Sequence, residues 1–203
     1  MNLITFNIDD KLINNENQKI LNSNKNLLFS NTCQYIKDYQ KKTKNKVAKV
    51  FTYKNSLAIS KNYRYLENVY FEILEYLKVC LNKAHKKNYD KHYWEILVGK
   101  WLKTLVHQSF ANWEILRKIE KKYNVNSFYK ISLRDETFIP ENTLHAHILI
   151  RSNLYKYNLF HHWLLSKMVE ERDIDTINFD VKKNLDLKKE IFKLNEPDKF
   201  HKI

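Results

Sequence analysis

Residues 92–105 read His-Tyr-Trp-Glu-Ile-Leu-Val-Gly-Lys-Trp-Leu-Lys-Thr-Leu. They hold two of the four tryptophans, the only glycine and an acid among apolar residues. On a helix, Trp94, Val98, Trp101 and Leu105 share one face, and Leu116 extends it. Lys100, Lys103, Glu114, Lys118 and Lys121 fall on the opposite face. Glu95 sits at the edge of the apolar arc. The spacing predicts a long amphipathic helix from this stretch to about Tyr123.

Working outward, residues 62–84 form the clearest helix. Leu66, Val69, Tyr70, Ile73, Leu74, Leu77 and Leu81 recur at three- and four-residue steps. A polar joint, Lys86-Lys87-Asn88-Tyr89-Asp90, separates the two helices, which read as a helical hairpin. Upstream, residues 3–6, 26–30 and 46–53 read as strands and 8–25 as a polar loop. A short helix at 33–41 would complete a strand–helix–strand unit, the seed of a parallel sheet. Downstream, Asn124-Val-Asn126 ends the long helix and Ser127–Ser132 reads as a buried strand. Residues 140–149 carry no clear pattern. Residues 154–171 form another amphipathic helix, followed by a strand at 176–179 and a helix at 186–194. The expected fold is α/β and helix-rich: a small parallel sheet with a long helical hairpin packed against it.

A chain of 203 residues fits one domain or two small ones, and 43% hydrophobic content is enough for a packed core. The balance of 36 Lys+Arg against 23 Asp+Glu gives a net charge of +13. Such a surface attracts nucleic acid, anionic lipid or phosphorylated small molecules. Lysine far outnumbers arginine and asparagine is abundant, a usage that also follows from an AT-rich genome. A single glycine excludes a Walker loop and a dinucleotide-binding glycine fingerprint. Cys33 and Cys80 have no partner spacing for zinc or redox chemistry. Neither a signal peptide nor a run of ~20 apolar residues is present, so the chain reads as cytoplasmic, with no transmembrane segment.

Several side chains are candidates for chemistry, each beside a plainer reading. Glu95 suits a general base or an acceptor for sugar hydroxyls, with Trp94 and Trp101 as an apolar wall. Equally, the stretch reads as a packing module in which Gly99 admits another backbone. His145 and His147, and the pair His161-His162, suggest a metal, but no third ligand has zinc spacing. The metal expectation is therefore none. His162, between Phe160 and Trp163, needs a hydrogen-bond partner if buried, and otherwise suits acid–base work. Lysine pairs at 86–87, 121–122, 182–183 and 188–189 read as solvated. No RNA-recognition or zinc-finger signature accompanies them, so no specific nucleic acid is expected.

Three segments, in order, resemble a family of transferases associated with bacterial O-antigen and surface-polysaccharide biosynthesis. The best match is Leu81-Asn-Lys-Ala-His85 through His92-Tyr-Trp-Glu-Ile-Leu-Val-Gly-Lys-Trp-Leu102. There the family shows Leu-Asn-x-x-His, then Tyr-Trp-x-Ile-Leu-x-Gly-Pro-Trp-Leu. Phe160-His-His-Trp-Leu-Leu-Ser-Lys167 is similar to the family's Trp-Asn-His-x-Leu-x-Ser, which places His162 on the family histidine. Leu28–Tyr35 is a weaker match, to a strand followed by Gly-Glu-Trp-Cys, of which only Cys33 survives. The departures are Lys100 for the family proline, Ala111-Asn112 for its Asp-Arg pair, and Ser30-Asn31 for its Gly-Glu.

The resemblance spans about residues 1–171 and implies the N-terminal half of a two-Rossmann-domain transferase. Residues 172–203 then read as a charged segment, a truncated link to a second domain. It implies an acceptor-side half acting in surface-polysaccharide biosynthesis, with transfer of a glycosyl or related group from an activated, nucleotide-sugar-type donor. The acceptor would be a carbohydrate and the partner a second transferase half. No cofactor site is expected in this chain, and alone it should be inactive. Glu95 and His162 are then candidate catalytic residues, sharing one cleft, and Trp94, Trp101 and His85 candidate substrate contacts. The alternative is a non-enzymatic basic helical module that binds a protein or nucleic acid.

Overall fold

The computed structural model describes residues 1–5, 19–21, 23–29, 45–50, 56–140, 145–146 and 159–180. In chain order the elements are β1 (Asn2–Ile4), β2 (Asn26–Leu28), β3 (Lys46–Val47), α1 (Ser56–His85), α2 (Lys91–Lys122), β4 (Ser127–Ile131), a 3-10 turn (Asp135–Phe138), α3 (Leu159–Glu170) and β5 (Asp175–Phe179). The strands form one sheet in the order β3-β2-β1-β4-β5, and every pair is parallel. This is a Rossmann-like α/β sheet. The chain order reverses at β1, between β2 and β4, which makes that junction the topological switch point.

Two-residue alternation decides what each sheet face buries. Leu3, Leu27 and Phe128 join Ile115, Leu116 and Ile119 of α2 and Leu165 and Val169 of α3 in one core cluster. Ile4, Leu28, Tyr129, Ile131 and Phe179 join Leu21, Phe138, Leu159 and Phe160 in the other. β5 pairs with β4 over five residues, Ser127↔Asp175 to Ile131↔Phe179. Only Phe179 of that strand is buried, as befits a sheet edge. The sheet thus takes a strand from the segment expected as a charged link. The helices expected at 33–41 and 186–194 lie outside the described residues.

α1 and α2 form the predicted hairpin, with α1 starting two turns earlier than its apolar pattern. Leu66, Tyr70 and Leu74 meet Leu102 and Val106 at the seam. The buried centre of the seam on α2 is therefore Leu102 and Val106, with Val98, Trp101 and Phe110 packed at its margin. Trp101 and Leu105 are half-buried and lean against the sheet cluster, and Trp101 also packs on the seam beside Val98. The reason is that α2 serves two surfaces, α1 on one side and the sheet on the other. Glu114, expected on the polar face, is 9% exposed. Arg117 holds it through two bonds of 3.1 and 3.2 Å, with Lys118 at 3.5 Å.

The hairpin turn is closed by side chains of the motif around residues 82–94. Asn82 Oδ1 accepts from the Tyr89 amide at 3.0 Å and from the Trp94 indole at 2.9 Å. Its Nδ2 donates to the Tyr89 carbonyl at 2.8 Å. Asp90 caps α2 by accepting from the Tyr93 amide at 2.8 Å. α1 ends with Lys86 at φ 52°. The Lys87 amide then reaches the Asn82 carbonyl, and the Lys86 amide the Lys83 carbonyl. That is a Schellman close, with lysine where glycine is usual.

Candidate functional site

In open parallel sheets, ligands meet the carboxyl ends of the strands at the switch point. Here those ends are Ile4-Thr5 of β1 and Ile131 of β4. α2 reaches β4 through residues 123–126 and so runs back along the sheet. Its 32 residues span about 48 Å, against about 17 Å for a five-residue strand. The N-terminal half of α2 therefore overhangs the carboxyl edge. Trp101 and Leu105 lean from that overhang onto the cluster holding Ile4, Ile131 and Phe160.

His162 lies beneath the switch point and is fully buried. Its Nε2 accepts the Ile131 amide at 3.0 Å. An amide only donates, so Nε2 carries the lone pair and Nδ1 the proton. Nδ1–H then donates to Thr5 Oγ1 at 2.7 Å. The ring also stacks on Phe128, 5.4 Å between centroids. Burial, and secondarily the nearby Lys130 ammonium, push its pKa down to about 3. This imidazole is neutral and its nitrogens are engaged. It ties α3 to the ends of β1 and β4 instead of standing ready as a base. Beside it, Asn112 Nδ2 and His161 Nδ1 lie 3.0 Å apart, both residues fully buried. The Asn112 amide oxygen accepts from Gln108 at 3.3 Å. Asn112 is the position where the resemblance has one of its Asp-Arg pair.

Glu95 is elsewhere. Helical rise sets it about 25 Å along α2 from Asn112. Its Oε1 accepts from the Tyr70 hydroxyl at 3.2 Å. The carboxylate and burial together raise the Tyr70 pKa, burial the larger cause. Gly99 makes this contact possible: a Cβ there would stand 2.7 Å from Tyr70 Oη. The lone glycine admits a phenol, not the neighbouring backbone. Trp94 is 5% exposed, with its indole N–H bound to Asn82. His85 is exposed and rests on the Trp94 ring, 5.5 Å between centroids. Of the five sequence-predicted site residues, the structure brings Trp101 and His162 to the carboxyl edge. Trp94, Glu95 and His85 gather at the far end of the hairpin. The shared cleft expected for Glu95 and His162 is not formed.

Sequence reasoning passed over Asp135. It opens the 3-10 turn after β4, and so stands at the carboxyl edge, with a side chain 60% exposed. Its Oδ1 accepts the Trp163 indole N–H at 2.8 Å, and Lys167 lies 3.4 Å away. The indole hydrogen bond first, and Lys167 after it, hold its pKa below the usual carboxylate range. An ionised, oriented carboxylate suits accepting a hydroxyl proton in a hydrogen bond better than removing it. An acid a few residues past a buried strand was the available signal. Among the described residues, no group of three His, Cys, Asp or Glu side chains could hold a metal ion.

Residues 11–202 match the family described as LIC12162 family transferase. The chain belongs to that family. No curated protein and no solved structure matches it. The LIC12162 match runs past α3 and β5, so all the strands but β1 lie within the family's span. The hairpin motif that carried the resemblance, Asn82 through Trp101, is also within it. In this member the polar atoms of Asn82, Asp90 and Trp94 close the turn. Among the described helices, none is long and apolar enough to cross a membrane.

Proposed function

We propose that this LIC12162 transferase is the acceptor-side unit of an enzyme that moves a glycosyl or related group from a nucleotide-sugar-type donor onto surface polysaccharide. The observation that carries this reading is the parallel sheet whose switch point lies under the overhang of α2. The acceptor sits at that carboxyl edge, with Trp101 offering an apolar wall for a sugar face. Asp135 accepts a hydroxyl of the acceptor and orients it. The neutral Thr5–His162–Ile131 tie keeps the edge rigid, so that the two contacts hold their spacing. Glycosyl transfer also needs cations or amide donors for the leaving phosphate. The single glycine, inside α2, leaves no glycine-rich cradle for it, and a second unit supplies that part.

Two measurements test this. Deleting the gene in its host should alter the electrophoretic ladder of surface polysaccharide, and wild-type but not Asp135→Ala should restore it. An unchanged ladder overturns the polysaccharide role. Calorimetry of the chain alone with a panel of nucleotide sugars should show millimolar binding or weaker, about −4 kcal/mol. Micromolar binding would make this chain a donor site in its own right and end the acceptor-side reading.

A further inference from the structure

We propose that the free end of the α1–α2 hairpin docks on an anionic lipid surface, turning the carboxyl edge of the sheet toward a membrane. The patch is built from Tyr89, Tyr93, Ile96 and Leu97, with Lys86, Lys87 and Lys100 around it. Residues 93, 96, 97 and 100 share one helical face by their spacing. Ile96 is 71% exposed and Leu97 52%, high values for aliphatic side chains on a helix that buries its other faces. Tyr89 and Tyr93 are also exposed, their rings in tilted contact with centroids 4.0 Å apart. Tyrosines beside aliphatics, ringed by lysines, are the composition of an interfacial anchor: rings at headgroup depth, ammonium groups on lipid phosphates.

Charge decides the occupant. Between residues 83 and 100 there are five lysines, at 83, 86, 87, 91 and 100, and two acids, Asp90 and Glu95. Both acids are engaged within the hairpin, Asp90 capping α2 and Glu95 bound by Tyr70. Among the described residues, no carboxylate pairs with Lys83, Lys86, Lys87 or Lys100. A second copy of so basic a tip would repel the first, whereas an anionic bilayer neutralises it. Because α2 overhangs the carboxyl edge by about 30 Å, docking of its end turns that edge toward the bilayer at about that reach. A lipid-carried acceptor would then arrive from the membrane side. This deepens the acceptor reading above, yet vesicle binding needs no transfer, so either idea can fail alone.

The test is co-sedimentation of the full chain with vesicles. Phosphatidylcholine alone is compared with a mixture holding about 30% phosphatidylglycerol, at low salt and at about 0.5 M salt. The chain should partition at least about tenfold better onto the anionic vesicles, and salt should weaken it. Ile96→Ser with Leu97→Ser, and separately Lys86→Glu with Lys87→Glu, should each lower binding about tenfold while the helical circular dichroism and melting temperature hold. Ile139→Ser, an exposed aliphatic outside the hairpin, should bind as wild type. Equal binding to neutral and anionic vesicles overturns the proposal, as does binding indifferent to the tip variants. A dimer in sedimentation velocity that the tip variants dissolve, without vesicle binding, would assign the patch to a second copy instead. Preference for duplex DNA over anionic vesicles would assign it to nucleic acid.

Discussion

Replacing His162 by glutamine should change how the protein's stability depends on pH. In the folded chain the imidazole has a pKa of about 3, against 6.5 unperturbed. The unfolded chain therefore takes up a proton near 6.5 that the folded chain refuses. The stability held in the neutral ring is complete above about 6.5. It is lost as pH falls from there toward 3, at about 1.4 kcal/mol per unit. From about pH 7.5 to about pH 5 the loss integrates to about 2 kcal/mol, above the range in which carboxylates titrate. Glutamine can still accept the Ile131 amide, but it cannot be protonated. At neutral pH the variant should be weaker by about 2–3 kcal/mol, because it gives up the Phe128 stack and the bond to Thr5. At about pH 5 the two proteins should be nearly equal. Urea unfolding followed by tryptophan fluorescence, at steps across this range, measures the gap. Burial first, and the Lys103 ammonium after it, also lower the His107 pKa, but that residue is present in both proteins and cancels. A gap that stays constant with pH, or a His162 NMR titration near 6.5, would refute the buried-clamp reasoning and restore His162 as a candidate base.

Other outcomes follow from the hairpin. Gly99→Ala gains about 1 kcal/mol of helix propensity. It also drives a methyl into the Tyr70 hydroxyl at 2.7 Å, so denaturant titration should show a net loss of about 1 kcal/mol. In a Tyr70→Phe background the oxygen is gone and the same change should stabilise; destabilisation in both backgrounds would place the clash elsewhere. Lys86→Gly relieves the left-handed φ of 52° at the end of α1 and should raise stability by about 1 kcal/mol. A lower melting temperature would count against the Schellman close. Trp94→Ala should cost about 3–5 kcal/mol and Trp101→Ala about 2–3, because Trp94 is the more deeply buried. The reverse order in chemical denaturation would return the structural centre to Trp101.

The sequence makes the hairpin readable because a helix repeats its apolar positions many times. The apolar positions of α1 from Leu66 to Leu81 give about four turns of agreement, and the polar joint between the helices has no competing pattern. The strands offer far less. Apolar runs place β1, β2 and β3, but these strands are only three, three and two residues long, too short for alternation to fix their ends. β5, Asp-Thr-Ile-Asn-Phe, is only faintly marked in the sequence at 176–179, since an edge strand can stay polar, and pairing with β4 over five residues defines it. The centre of the apolar face of α2 shifts for a related reason. Periodicity states that a helix is amphipathic, but not that two partners divide its apolar arc, so Leu102 takes the buried centre of the seam while Trp101 lies between seam and sheet. At the site the limit is chemical. His162 stands in the sequence as a polar ring among Phe160, Trp163 and Leu165, and a ring so placed is equally a base or a clamp. Its deciding partner is the amide hydrogen of Ile131, a group that every residue except proline carries and that no sequence letter distinguishes. Asp135 is the converse case: an ordinary exposed acid whose position becomes meaningful only when β4 ends beside β1 and the indole of Trp163 turns to meet it.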